Sequence, residues 1–122
     1  MSAQPSSLPS SSSNEYISKA KSLISEYPYL MLSKSWCPDC HYVYNLFQQL
    51  GIYDKLHIIE LDQFKDQDEA TALENAFTEI VGKKWVPSLF FQGKYWGNEQ
   101  DLKNLRKQGQ LESELKKLNL LV

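Results

Sequence analysis

The sequence predicts an α/β domain, a small mixed β-sheet covered by helices. Three observations carry this expectation. Short apolar runs at residues 29–32 and 56–61 alternate with segments whose apolar residues recur every three or four positions. Gln92-Gly93 separates Leu89-Phe90-Phe91 from Lys94-Tyr95-Trp96, which reads as a β-hairpin. The segments follow one another as βαβ, helix, hairpin, helix, and 122 residues suit one domain with a single core.

In chain order, Pro5, Ser6, Ser7, Pro9 and Ser10 to Ser13 make residues 1–13 an expected disordered tail ahead of a domain at 14–122. Ser13 or Asn14 can cap a first helix with Tyr16, Ile17, Ala20, Leu23 and Ile24 on one face, ended by Pro28. Tyr29-Leu30-Met31-Leu32 follows as a buried strand. A second helix gathers Val43, Leu46, Phe47 and Leu50 before Gly51 stops it. Residues 56–61 form the second strand. Residues 66–81 form a third helix with Ala70, Leu73, Ala76, Phe77, Ile80 and Val81 inward and Gly82 at its end. Beyond the hairpin, residues 98–107 and 111–118 are amphipathic helices.

Charge and hydropathy narrow the function. A formal charge of −2 supplies no basic stripe for nucleic acid. No apolar run approaches the ~20 residues that cross a bilayer, so no membrane partner is expected. The tail lacks the apolar stretch of a secretory signal and the Arg or Lys of a mitochondrial presequence. The expected address is the reducing cytoplasm, where a retained Cys pair is more often catalytic than structural. Nothing in the sequence demands more than a monomer.

Both cysteines lie in Trp36-Cys37-Pro38-Asp39-Cys40. Two thiols at this spacing, with no other Cys in the chain, read first as a redox couple. Two other readings stand beside it: a pair of small buried hydrophobes, and zinc held by Cys37, Cys40, His41 and His57. The zinc reading is poor, because no second ligand pair appears at finger spacing; no motif requires a metal or prosthetic group. The pair sits where a strand hands over to a helix N-terminus, the usual site position in α/β architecture. There the helix dipole and free N–H groups favour a thiolate. Cys37, at the turn and more exposed, is the attacking thiol; Cys40, one turn in and more buried, is the resolving thiol. Pro38 is tolerated because the first-turn N–H groups are unpaired anyway. Asp39 either disfavours the thiolate or is a solvated helix-start acid. His41 and His57 receive no role.

The segment Ser33-Lys34-Ser35-Trp36-Cys37-Pro38-Asp39-Cys40 resembles the active-site segment of glutaredoxins. Trp85-Val86-Pro87-Ser88-Leu89-Phe90 is similar to that family's Thr-Val-Pro turn, and Gly97-Asn98-Glu99-Gln100-Asp101 to its Gly-Gly block. The blocks occur in the family's order from about residue 14 to the C-terminus, and the Trp-Cys-Pro-Asp-Cys string is particularly similar to fungal dithiol glutaredoxins. The resemblance implies a thioredoxin-like fold with a four-stranded mixed β-sheet flanked by helices. It implies a glutathione-dependent thiol–disulfide oxidoreductase acting on protein or glutathione mixed disulfides, with glutathione as co-substrate. It further implies a cis Pro87 facing the cysteines, Val86 offering backbone hydrogen bonds, Lys34 binding a glutathione carboxylate, and Asp101 accepting from the γ-glutamyl amine. Taken singly, each of Lys34 and Asp101 is more often a solvated surface group.

Departures from the family pattern point to weak glutathione binding. Trp85 stands where the family has Thr, Asn98 where it has the second Gly, and Gln100 where it has a small polar residue. A side chain in place of Gly obstructs close approach of a ligand. Trp36 beside Cys37, with Pro38, is similar to thioredoxins and is expected at the rim of the site. Met31 nevertheless occupies the place of the buried thioredoxin Asp. Two other functions follow from these features: a thioredoxin-related disulfide reductase fed by thioredoxin reductase, and a low-turnover redox-sensing or interaction module. Lys83 and Lys84 read as solvated lysines at a helix exit.

Overall fold

The computed structural model describes residues 7–122, with side chains from residue 14 onward. Strands β1 (Tyr29–Ser33), β2 (His57–Glu60), β3 (Ser88–Phe91) and β4 (Lys94–Gly97) form one sheet in the order β2-β1-β3-β4. β1 pairs parallel with β2 and antiparallel with β3, and β3 pairs antiparallel with β4. Helices α1 (Ser7–Glu26), α2 (Pro38–Gln49), α3 (Gln67–Val81), α4 (Glu99–Lys107) and α5 (Leu111–Lys117) cover it. The mixed four-stranded sheet of the thioredoxin-like fold is therefore present.

Side-chain alternation along the central strands sorts the helices between the two faces. Leu30, Leu32 and Phe90 pack with Ala20 and Ile24 of α1 and Leu73 and Phe77 of α3. Met31, Leu89 and Phe91 face the other way, onto Val43 and Phe47 of α2, Leu102 of α4 and Leu115 of α5. A central strand with apolar residues on both faces is what a sheet covered on both sides requires. Phe47, Phe77 and Phe90 are fully buried, each contributing about 1.5–3 kcal/mol relative to exposure.

Boundaries differ from expectation in two places. The expectation of disorder for residues 1–6 lies outside the described residues, but α1 begins at Ser7 rather than at Ser13 or Asn14. Extending a helix already anchored by its packed face avoids the cost of nucleation, and Pro9 falls in the first turn, where its missing N–H costs little. β2 is shorter than residues 56–61, because Leu61–Gln63 turns into a 3-10 helix. The remaining punctuation follows the sequence. Asp66 caps α3 by accepting from the N–H groups of Asp68 and Glu69 at 3.0 and 3.2 Å, and Gly82 ends it in the left-handed region at φ 93°. Gln92 and Gly93 are both left-handed, at φ 54° and 84°, as a tight hairpin turn demands.

Candidate active site

β1 delivers the chain into a short turn closed by the Cys37 N–H donating to the Lys34 carbonyl at 3.0 Å. Cys37 is the N-cap of α2, and Pro38 occupies the first turn. The Cys37 carbonyl accepts from the Cys40 and His41 N–H groups at 3.1 Å each, which starts the helix. The Cys37 sulfur lies 3.9 Å from the Val86 carbonyl oxygen, and the Val86–Pro87 peptide is cis. Both cysteines are thiols. Cys37 retains 7% of its accessible surface and Cys40 none. Burial pushes the Cys40 thiol up to about 12, against the Ser33 hydroxyl and the Lys34 backbone, which favour the thiolate; the neighbouring Cys37 thiol raises it further.

The loop ahead of Cys37 is pinned. Asp62, in the turn after β2, accepts from the Ser35 N–H at 2.8 Å and from the Ser35 hydroxyl. These hydrogen bonds hold the Asp62 carboxyl below its usual range. His41 Nε2 reaches the Ser35 carbonyl at 2.5 Å. Asp39 pairs with Lys103 of α4 at 3.8 Å, both side chains well exposed; such pairs contribute about 0–1 kcal/mol.

The other residues singled out by sequence fall into two groups. Lys34, Trp36, Val86 and Pro87 adjoin Cys37. Trp36 is 66% exposed at the rim, with the Lys34 ammonium 5.8 Å from its ring centre. Lys34 Nζ itself is held 3.1 Å from Oε2 of Glu74 on α3, and Lys84 stands 4.0 Å from Oε1 of the same carboxylate. A cleft of about 170 Å³ opens here between Lys34, Trp36, Asp62, Gln67, Thr71 and Glu74.

Gly97, Asn98, Gln100 and Asp101 instead build the start of α4. Asn98 is buried and accepts from the Gln100 N–H at 2.9 Å, while Asp101 Oδ2 accepts from the Asn98 N–H at 3.0 Å. This is a capping box. A Cβ on residue 97 would run into the Asp101 carboxylate, which accounts for Gly97. The Asn98 side chain is turned onto its own helix. Trp85 is fixed by its indole N–H donating to Glu99 Oε1 at 2.9 Å, with its ring 40% exposed.

Sequence reasoning passed over Glu74 and Glu99. For Glu74 a signal existed: a carboxylate on the buried stripe of α3, between Leu73 and Phe77, is out of place without a partner. For Glu99 there was none, since its neighbour Trp85 is fourteen residues away in the chain.

This geometry, with one surface-reaching thiol at a helix start and a second sealed behind it, is built for thiol–disulfide exchange. The family model described as Glutaredoxin matches residues 30–96. Glutaredoxin-8 of Saccharomyces cerevisiae is 35% identical over 106 residues, spanning 87% of this chain and 96% of that protein. Glutaredoxin-1 of the same yeast is 36% identical over 102 residues, spanning 82% and 90%. The solution structure of yeast dithiol glutaredoxin Grx8 matches with a TM-score of 0.78 at 34% identity, covering 88% of this chain and 98% of that one. The crystal structure of a buckwheat glutaredoxin–glutathione complex matches with a TM-score of 0.77 at 28% identity, covering 92% and 97%. The chain belongs to the glutaredoxin family and is a thiol–disulfide oxidoreductase.

Proposed function

We propose that this chain is a dithiol glutaredoxin that reduces protein disulfides and glutathione mixed disulfides, with weak use of glutathione. The observation that carries the reading is the asymmetry of the pair: Cys37 reaches the surface beside Val86, and Cys40 is sealed one turn behind it. The Cys37 thiolate attacks a substrate disulfide, and the departing sulfur leaves as a thiolate that takes a proton from solvent. Cys40 then attacks Cys37, forming the Cys37–Cys40 bond and releasing the second substrate thiol. Two glutathione molecules restore the dithiol and leave as glutathione disulfide. Both thiols belong to one chain, so a monomer suffices, working in the cytoplasm.

Glutathione is assigned to the groove of Lys34, Trp36, Val86, Pro87, Gly97, Asn98, Gln100 and Asp101. Two features weaken its hold. Lys34 is already paired with Glu74, and Asp101 gives one carboxylate oxygen to the cap of α4. The same features favour a second reading, a disulfide reductase fed by thioredoxin reductase, in which the exposed Trp36 and Trp85 meet a polypeptide.

The deciding experiment follows reduction of the Cys37–Cys40 disulfide by glutathione with glutathione reductase, then by thioredoxin reductase. Reduction by glutathione without thioredoxin reductase is expected, at a modest rate and with rapid alkylation of Cys37. Reduction by thioredoxin reductase alone would replace the first reading with the second. Slow reduction by both, with slow alkylation of Cys37, would make the chain a redox-sensing module. In the working enzyme, Cys37→Ser abolishes turnover. Cys40→Ser abolishes reduction of protein disulfides and retains part of the removal of glutathione from mixed disulfides, which uses one attacking thiol.

A further inference from the structure

Trp36 and Trp85 are, with the terminal Val122, the large apolar residues left exposed among the described residues. Single apolar residues on a surface need no explanation; two indoles beside one reacting group do. Trp36 directly precedes Cys37 in the chain. Trp85 directly precedes Val86, whose carbonyl oxygen lies 3.9 Å from the Cys37 sulfur. Glu74 ties the two segments together, with Oε2 3.1 Å from Lys34 Nζ and Oε1 4.0 Å from Lys84 Nζ.

Trp85 is held in place although its ring is exposed. Its indole N–H donates to Glu99 Oε1 at 2.9 Å, and Glu99 is wholly buried at the start of α4. Burying a carboxyl group costs free energy, and here the buried group fixes an exposed ring. A ring already ordered loses little rotamer freedom when a partner lands on it, so a contact made there is pre-organised. Lys83 Nζ stands 5.3 Å from the centre of the same ring and pairs with no carboxylate among the described residues. Apolar surface and an unpaired positive charge are thus presented together, next in the chain to the carbonyl that touches the reacting sulfur.

We propose that Trp85 and Lys83 are specificity-determining residues: they select polypeptide disulfides whose cysteine is flanked by an aromatic residue and, beyond it, an acidic one. Glu99 is the positioning residue that holds the indole for this contact. The selection rests on the reading that the chain reduces protein disulfides through Cys37 and Cys40. A substrate cysteine that reaches Cys37 brings its neighbours past the Val86 carbonyl to Trp85. There an aromatic side chain packs on the indole, and a carboxylate one residue further on draws Lys83 into an ion pair. Glutathione carries no aromatic ring and gains nothing from Trp85.

The test is single-turnover reduction of four end-capped, homodimeric peptide disulfides by the full chain, reduced beforehand and freed of reductant. The peptides are Glu-Phe-Cys-Phe-Glu, Lys-Phe-Cys-Phe-Lys, Ser-Phe-Cys-Phe-Ser and Ser-Ser-Cys-Ser-Ser, symmetric so that either chain direction can dock. In each turnover the peptide disulfide yields two thiols while Cys37 and Cys40 join in a disulfide. Dividing each rate by that with dithiothreitol removes differences in the intrinsic reactivity of the peptides. The corrected rate with Phe and Ser is expected to exceed that of the all-serine flanks by about three- to tenfold. Glu flanks should exceed Lys flanks by about two- to fivefold at low ionic strength, a gap that closes in high salt.

Trp85→Thr combined with Glu99→Leu strands no buried carboxyl group. It should abolish the aromatic preference and keep the all-serine rate within about twofold. Lys83→Glu, an exposed change away from the core, should invert the preference between Glu and Lys flanks. Glu99→Leu alone should lower the aromatic preference, and Glu99→Gln, which keeps an acceptor for the indole, should preserve it. Equal corrected rates for the four peptides would overturn the proposal. So would preferences that survive in both Lys83→Glu and the double variant, or variants that slow all four peptides alike. A parent chain that reduces none of the peptides would overturn the protein-disulfide reading itself, and the selection with it.

Discussion

Lys34, three residues ahead of Cys37, faces Glu74, Nζ 3.1 Å from Oε2, with side chains only 23% and 11% exposed. A glutathione carboxylate that approaches Lys34 must compete with one already there. Displacing Glu74 would leave a nearly buried carboxylate without its closest partner, a change that costs several kcal/mol when complete. Glu74→Gln removes the competing charge and keeps the shape. The KM for a glutathionylated peptide is expected to fall by about three- to tenfold, or about 0.7–1.4 kcal/mol, with kcat little changed. Lys34→Gln should then raise KM more in the Glu74→Gln background than alone. Steady-state kinetics of the four proteins decide it, and a KM indifferent to Glu74 would remove Lys34 from the path of glutathione.

Trp85 and Glu99 form a second pairing, and its consequence is stability. Glu99 is wholly buried; Oε1 accepts from the Trp85 indole and Oε2 has no partner among the described residues. Trp85→Phe keeps most of the ring and removes the donor, leaving the carboxylate unsatisfied. The expected loss is about 1–3 kcal/mol, because a buried group stripped of its partner bears its full desolvation cost. Replacing both partners with apolar residues, Trp85→Phe with Glu99→Leu, should recover much of that loss. Chemical denaturation of the two variants measures both, and a double variant no more stable than the single would refute the account.

The reach of the sequence follows from which forces are local. Helix faces, the Gln92-Gly93 turn and the Cys37–Cys40 couple are written in neighbouring residues, so periodicity and spacing reveal them. The Asn98-x-x-Asp101 cap is equally local and was legible as a capping box, although the family pattern drew attention to ligand binding there. The start of α1 was missed because Ser and Pro composition argues for a coil where a packed helix simply continues. The Lys34–Glu74, Trp85–Glu99 and Ser33–Tyr44–Glu60 contacts join separate elements. Only the register of β1 with β2 and the packing of α2 and α3 on the sheet bring them together.

Because Asn98 turns onto its own helix, truncating it should weaken the fold and leave the groove as it was. Asn98→Ala removes the acceptor of the Gln100 N–H and is expected to cost about 0.5–2 kcal/mol, whereas Asn98→Gly should cost only a few tenths. Neither change is expected to lower the KM for a glutathionylated peptide. Denaturation midpoints and KM values measured on the same two variants check both halves. A tighter KM in Asn98→Gly would mean that the side chain does stand in the way of the ligand.

Cys40 also ties the stability of the reduced protein to pH. Burial raises its thiol from an ordinary 9.0 to about 12. Between those values the unfolded chain has lost a proton that the folded chain still holds, so deprotonation draws the equilibrium toward unfolding. The contribution is intact below about pH 9 and declines as pH rises toward 12, by at most about 1.4 kcal/mol per pH unit for one proton. Tyr44, raised from 10.0 to about 12 chiefly by burial, acts with the same sign but begins its decline higher. Cys40→Ala should therefore flatten the fall in the urea midpoint between about pH 9 and 10, below the ordinary 10.0 of the raised tyrosines Tyr16, Tyr27, Tyr44 and Tyr95. It should leave the steeper part above that range, where Tyr44 joins. Urea titrations of the reduced protein and of Cys40→Ala across this range measure the difference in slope. Parallel curves would mean that the Cys40 thiol is not held back by its burial.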